Sequence, residues 1–152
     1  MKQRWAALMV VLALYAFVPQ SAAAQAAQQS NRDQNSGSSL GQNYPNPVSS
    51  ETTIPFTIAG APNCVDSGRQ YRVSLKLYNM LAQLVAIPVL QGGTAGAAGG
   101  QPVNGMQLTC GQYTAYWDGK YISSGHEVAS GVYLYRLEVD GRPIVRKMVV
   151  MK

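Results

Sequence analysis

Apolar and polar residues alternate with a period of two through much of the chain, the spacing of strands that bury one face. Tyr71, Val73, Leu75 and Leu77 alternate with Arg72, Ser74 and Lys76, and Asn79 then opens a turn. Leu84 to Val89 predicts another apolar strand, and Tyr113, Ala115 and Trp117 share one face of a further one. Tyr133, Tyr135, Leu137 and Val139 alternate with Leu134, Arg136 and Glu138. Asp140-Gly141 is the dipeptide of a two-residue type I′ hairpin turn, so the stretch from Pro143 to Met151 returns as the partner strand. The β-branched run from Thr52 to Ile58 predicts a first strand. Pro55 marks it as an edge, because proline has no N–H to give to a ladder. A short helix through Leu77 to Leu84 is outweighed by the period-two pattern of its first half. About seven short strands separated by glycine-containing turns predict an all-β chain, an immunoglobulin-like antiparallel β-sandwich.

The N-terminal quarter has other patterns. Lys2 and Arg4 precede an apolar stretch from Trp5 to Val18, followed by Ala22-Ala23-Ala24. Fourteen apolar residues fall short of the roughly 20 needed to span a bilayer. The layout is that of a signal peptide over residues 1–24, cleaved on export. Residues 25–39, "QAAQQSNRDQNSGSS", carry no large apolar side chain and read as a disordered linker. The sandwich domain is assigned to residues 40–152. Within it, "QGGTAGAAGGQPVNG" lacks the lysine and helix start of a phosphate-binding loop and reads as a flexible connection.

Charge adds little to this. Twelve basic and seven acidic residues give a net +5, and loss of Lys2 and Arg4 with the signal peptide leaves +3. Arg142, Arg146, Lys147 and Lys152 crowd the last eleven residues. Without the denser basic and aromatic interleaving of a nucleic-acid binder, they read as a solvated strand face that discourages edge-to-edge pairing, with contact to an acidic surface as the minority alternative. Cys64 and Cys110 in an exported chain favour a disulfide closing a 47-residue loop. Two buried free thiols are the alternative. The two cysteines and one histidine fall short of a zinc ligand set. His126 lies between Gly125 and Glu127 without a nucleophile or carboxylate arrangement around it, so no catalytic residue and no cofactor is assigned. Asp118 reads as a turn cap. Among the tyrosines, Tyr78, Tyr116 and Tyr121 are left as candidates for an exposed sugar-binding platform, the others falling on core faces.

Four short segments recur together in a known family: Asn-Tyr-Pro-Asn-Pro at 43–47, Trp-Asp-Gly at 117–119, Ser-Gly-Val-Tyr at 130–133 and the closing "KMVVMK". From about Leu40 to Lys152 the chain resembles the C-terminal sorting domain of type IX secretion cargo. It is also similar to the immunoglobulin-like domain of flagellar hook-capping proteins. The resemblance implies a non-enzymatic, exported protein whose sandwich is a C-terminal sorting or anchoring signal. Such a protein crosses the inner membrane and periplasm and ends at the cell surface or outside the cell. Its implied partners are an outer-membrane secretion translocon, a sortase-like surface protease and lipopolysaccharide, with no nucleic acid. Carried over by motif, the sorting signal comprises Gly131, Tyr133, Lys147, Met148, Val149, Val150 and Lys152. The alternative is a stand-alone structural or scaffold module of an envelope or hook-cap-like assembly, docking through exposed strand edges as in β-augmentation.

Overall fold

Strand pattern becomes pairing along most of the chain. The computed structural model describes residues 37–94 and 98–152; the assigned signal peptide and linker residues 25–36 lie outside the described residues. Nine strands are present among them: β1 (Ser39–Leu40), β2 (Thr52–Ile58), β3 (Gln70–Tyr78), β4 (Leu84–Ala86), β5 (Val89–Gly93), β6 (Met106–Thr109), β7 (Gly111–Trp117), β8 (Gly131–Val139) and β9 (Arg142–Val150). They form two antiparallel sheets, one ordered β1-β2-β7-β5 and the other β4-β3-β8-β9, with β6 also paired to β3. The all-β sandwich expected from the sequence is the fold.

Alternation decides what fills the space between the sheets. Ile54, Phe56, Ile58, Leu90, Tyr113, Ala115 and Trp117 point inward from the first sheet and are buried. Val73, Leu75, Leu77, Tyr135, Leu137 and Met148 meet them from the second. Phe56 stacks on Tyr113 with ring centroids 5.5 Å apart. The Asp140-Gly141 turn has both residues at positive φ, 49° and 79°, as a type I′ turn requires. It sets the β8–β9 register from Val139↔Arg142 to Gly131↔Val150.

Four expectations need revision. The apolar run from Leu84 to Val89 is not one strand. Leu84 and Ala86 pair with β3, whereas Val89 opens β5 in the opposite sheet. Ile87 and Pro88 carry the chain across, and apolarity is uninformative there because both halves are buried. Second, β2 is not an outer edge, since β1 covers it at Phe56 and Thr57. Pro55 is tolerated because its polar groups face the outer side, where its carbonyl accepts the Gly41 amide at 2.8 Å and no N–H is demanded. Third, the glycine-rich stretch is partly structured. Gln91 to Gly93 belong to β5, and Val103 is fully buried, its carbonyl accepting the Leu75 amide at 2.8 Å. Fourth, order reaches into segment 25–39. Ser39 pairs with Thr57, and the Ser38 hydroxyl accepts the Ala59 amide at 3.1 Å.

The Cys64–Cys110 disulfide is formed, with Cα atoms 5.8 Å apart. It ties the long connection after β2 to the junction of β6 and β7.

Candidate functional site

The four sequence segments, more than a hundred residues apart at their extremes, meet at one end of the sandwich. Asn43 is buried, a demanding position for an amide. Its Nδ2 donates to Thr52 Oγ1 and to the Pro45 carbonyl, both at 3.0 Å. Its own backbone N–H donates to the Tyr135 hydroxyl at 3.2 Å, and that hydroxyl donates in turn to the Gly41 carbonyl at 2.8 Å. Segment 41–48 is thereby pinned along β9. Asn46 Oδ1 accepts the Val149 amide at 3.0 Å. The Val48 amide donates to the Val149 carbonyl, and the Met151 amide donates to the Val48 carbonyl, each at 2.8 Å. Val48 and Val150 thus form a parallel bridge that continues the second sheet beyond β9.

Trp-Asp-Gly forms the floor beneath the terminus. Trp117 is buried against Tyr133, ring centroids 6.2 Å apart, and its Nε1 donates to the Lys120 carbonyl at 3.0 Å. Asp118 Oδ1 accepts the Lys120 amide at 3.2 Å, the turn-capping role expected of it. Gly119 has φ +71°, and a Cβ there would lie 2.2 Å from the Ser50 carbonyl oxygen. No other residue type fits so close an approach at that φ. The Tyr133 hydroxyl donates to the Ala129 carbonyl at 2.8 Å, and burial, with a smaller contribution from Tyr121, pushes its pKa up to about 12. Burial likewise raises the pKa of Tyr135.

Strand alternation divides the assigned sorting residues between two faces. Tyr133, Met148 and Val150 point into the core and are buried. Lys147 is exposed and Val149 half-buried on the outer face, and Gly131 is exposed at the start of β8. Lys152 does not belong to a solvated basic strand face. Its amide donates to Ser130 Oγ at 2.9 Å, and its Nζ reaches back to Glu127 at 3.5 Å. The side chain keeps only 22% of its exposure. Arg146 sits at a position whose register neighbour, Tyr135, points inward, an inward-aimed charge at a sheet edge of the kind that resists further pairing.

Asn43, Asn46, Ser130 and Glu127 carry much of this arrangement; the first three lie in the motif segments but had no role assigned from the sequence, and Glu127 lies outside them. A polar residue flanking Tyr-Pro was the available signal for Asn43. The partners of Asn46, Glu127 and Ser130 lie at least 22 positions away and leave no local trace. The three tyrosines left as a sugar platform do not share a surface. Tyr78 lies on the second sheet and Tyr116 on the first, where Tyr116 donates to Glu51 Oε2 at 2.6 Å. That hydrogen bond raises the pKa of Tyr116. Tyr121 packs against the core from the loop after β7. His126 is exposed in that loop. Among the described residues, no three His, Cys, Asp or Glu side chains gather closely enough to hold a metal ion.

No family model matches the chain, and no curated protein matches it. Among solved structures, the chain is similar to PorZ, an essential bacterial surface component of the type IX secretion system of Porphyromonas gingivalis. The identity is 17% and the TM-score 0.41, over 79% of this chain and 12% of PorZ. The chain therefore spans only a small part of that protein's length, and at this score the likeness carries no argument about function.

Proposed function

We propose that the chain is a non-enzymatic exported protein whose sandwich addresses it to the type IX secretion translocon and the cell surface, with the outward residues of β9 as the read element. The observation that carries this reading is the convergence just described. Segments 43–47, 117–119, 130–133 and 147–152, the same four that carry the family resemblance, build a single end of the molecule around the last strand. In this reading Tyr133, Met148 and Val150 hold the strand in place, while Lys147 and Val149 present themselves. Lys152 locks the terminus onto the loop below it. A sortase-like protease and lipopolysaccharide are later partners in the same route. The disulfide fits an oxidising compartment on the way out.

The scaffold-module reading asks for a strand edge open to pairing. The C-terminal half of the β9 edge is occupied by Asn46 and Val48, and Pro143 offers no N–H. On β9 itself, a short stretch around Val145 remains for augmentation.

The deciding experiment inserts a fluorescent passenger into the full chain ahead of Gly37 and expresses it in a host with an intact type IX system and in one lacking the translocon. Surface display or release only in the intact host is expected. Equal periplasmic retention in both would overturn the sorting reading and leave the scaffold module.

A further inference from the structure

The two outer faces of the sandwich differ in chemistry. On the first sheet, Thr53 and Thr57 of β2 and Gln112, Thr114 and Tyr116 of β7 point outward beside Pro55 and Val89, a mainly polar face of the usual kind for an antiparallel sheet with one side in water. The second sheet breaks that rule. Its outward positions include Leu84 (46% exposed), Val132 (42%) and Val145 (51%), together with half-buried Tyr78, Leu134 and Val149. The register places them side by side: Tyr78 faces both Leu84 and Leu134, and Val132 faces Val149. A recess of about 290 Å³ opens among Tyr78, Ala82, Leu134, Arg136 and Val145.

The charges within this apolar face are mostly of one sign. Lys76 stands directly opposite Arg136, and Lys147 opposite Leu134. Like charges directly opposite each other on one face destabilise a sheet. Glu138 engages Arg136 Nη2 at 2.8 Å, yet Arg136 Nε is buried with no hydrogen-bond partner among the described residues. The group of cations is therefore under-compensated within the chain, on a surface already costly to leave in water.

We propose that this outer face of β3, β8 and β9 is a docking surface for an acidic, apolar protein surface, whose carboxylates sit over Lys76, Arg136 and Lys147 while its apolar side chains cover Leu134 and Val145. Charge complementarity selects this occupant. A second copy of the same face would bring cations against cations, and the polar, leucine-free stretch 25–36 has no apolar side chains large enough to fill it. The proposal deepens the sorting reading and rests on it for the partner's place in export; the chemistry of the face stands independently.

Two arms test it. In the first, the full chain, isotope-labelled and purified with its disulfide formed, is titrated with a short synthetic peptide of alternating leucine and glutamate. A leucine-lysine counterpart and vesicles of anionic phospholipid serve as comparisons. Amide shifts at Tyr78, Leu134, Arg136 and Val145 with the acidic peptide are expected. Binding should weaken about tenfold in Lys76→Gln/Lys147→Gln, equivalent to about 1.4 kcal/mol, with an unfolding midpoint no lower than that of the unaltered chain, since the Lys76–Arg136 repulsion is relieved. Equal binding of the lysine peptide, shifts on the Thr57 and Thr114 face, or binding to vesicles without binding to the acidic peptide would each overturn the proposal. In the second arm, the passenger insertion carries Val145→Glu or, on the opposite face, Thr57→Glu. A release at least about tenfold lower for Val145→Glu alone is expected. If the unaltered insertion is exported and Val145→Glu is exported equally, the face has no part in sorting and the proposal fails while the sorting reading stands. If the unaltered insertion is not exported, the sorting reading fails and the peptide arm alone decides the face.

Discussion

Gly119 and Gly141 separate two demands that glycine can meet. Both have positive φ, 71° and 79°, but a Cβ at Gly141 would meet nothing within 4 Å, whereas at Gly119 it would strike the Ser50 carbonyl. Gly141→Ala is expected to cost about 1 kcal/mol, the conformational term alone. Gly119→Ala adds a backbone clash and should cost about 2–4 kcal/mol, as strained positions with forced displacement do. Urea unfolding of the two variants measures the difference, and equal costs would mean that Ser50 yields easily. Tyr133 makes a pH-dependent prediction. Its folded pKa of about 12 lies above the value near 10 of an exposed tyrosine, so the native state holds its proton longer than the unfolded chain. The stabilisation is fully present below pH 10 and is lost as pH rises from 10 to 12. Alkaline unfolding of Tyr133→Phe should show a shallower loss across that window. At this scale the sequence was informative where a residue's constraint is local. The Asp118 cap and the Asp140-Gly141 turn could be read directly, because the first bonds an amide two residues on and the second needs only the positive φ its residue types favour. Asn43 could not, since its burial depends on Tyr135, 92 positions away.

Among the elements, β9 is the one whose surroundings matter most. It is hydrogen-bonded to β8 along its whole length, and its other edge is clasped by segment 46–48. Asn46→Ala removes the acceptor of the Val149 amide, a change expected to cost about 1 kcal/mol. The Val149 amide should then exchange with solvent faster, relative to Tyr135 on the neighbouring strand. Uniform acceleration at both sites would show that the clasp acts globally, not on β9. The period-two pattern made β3, β7, β8 and β9 legible, because each buries one face and exposes the other. It failed for β4 and β5. Val85, Ala86 and Leu90 are all buried, so the run carries no alternation to mark the crossing between sheets. The two-residue β1 and the four-residue β6 are too short to carry a period at all.

For the whole molecule, the disulfide is the strongest single constraint. Closing a 47-residue loop lowers the entropy of the unfolded chain enough to stabilise the fold by about 4 kcal/mol on a chain-entropy account. A Cys64→Ser/Cys110→Ser variant, compared with the oxidised protein in denaturant titrations, should lose that order of stability. A loss below about 1 kcal/mol would indicate that the unfolded chain is already compact there. The all-β class could be read from the pattern of strands and turns. The gathering of four separated segments at one end could not, because it is a property of topology.

That gathering also governs how fast the sandwich can assemble. Asn46 and Val149 are 103 positions apart, so the clasp closes a loop of most of the domain, and folds rich in such distant pairings refold in milliseconds to seconds. The Cys64–Cys110 bond short-circuits 46 of those positions, and closing the shortened loop costs about 0.5 kcal/mol less on a logarithmic length dependence. A chain that acquires its disulfide early therefore reaches the clasped state about twice as fast. The cysteine pair, which takes no part in the clasp, bears on the pace at which segment 46–48 closes over the last strand.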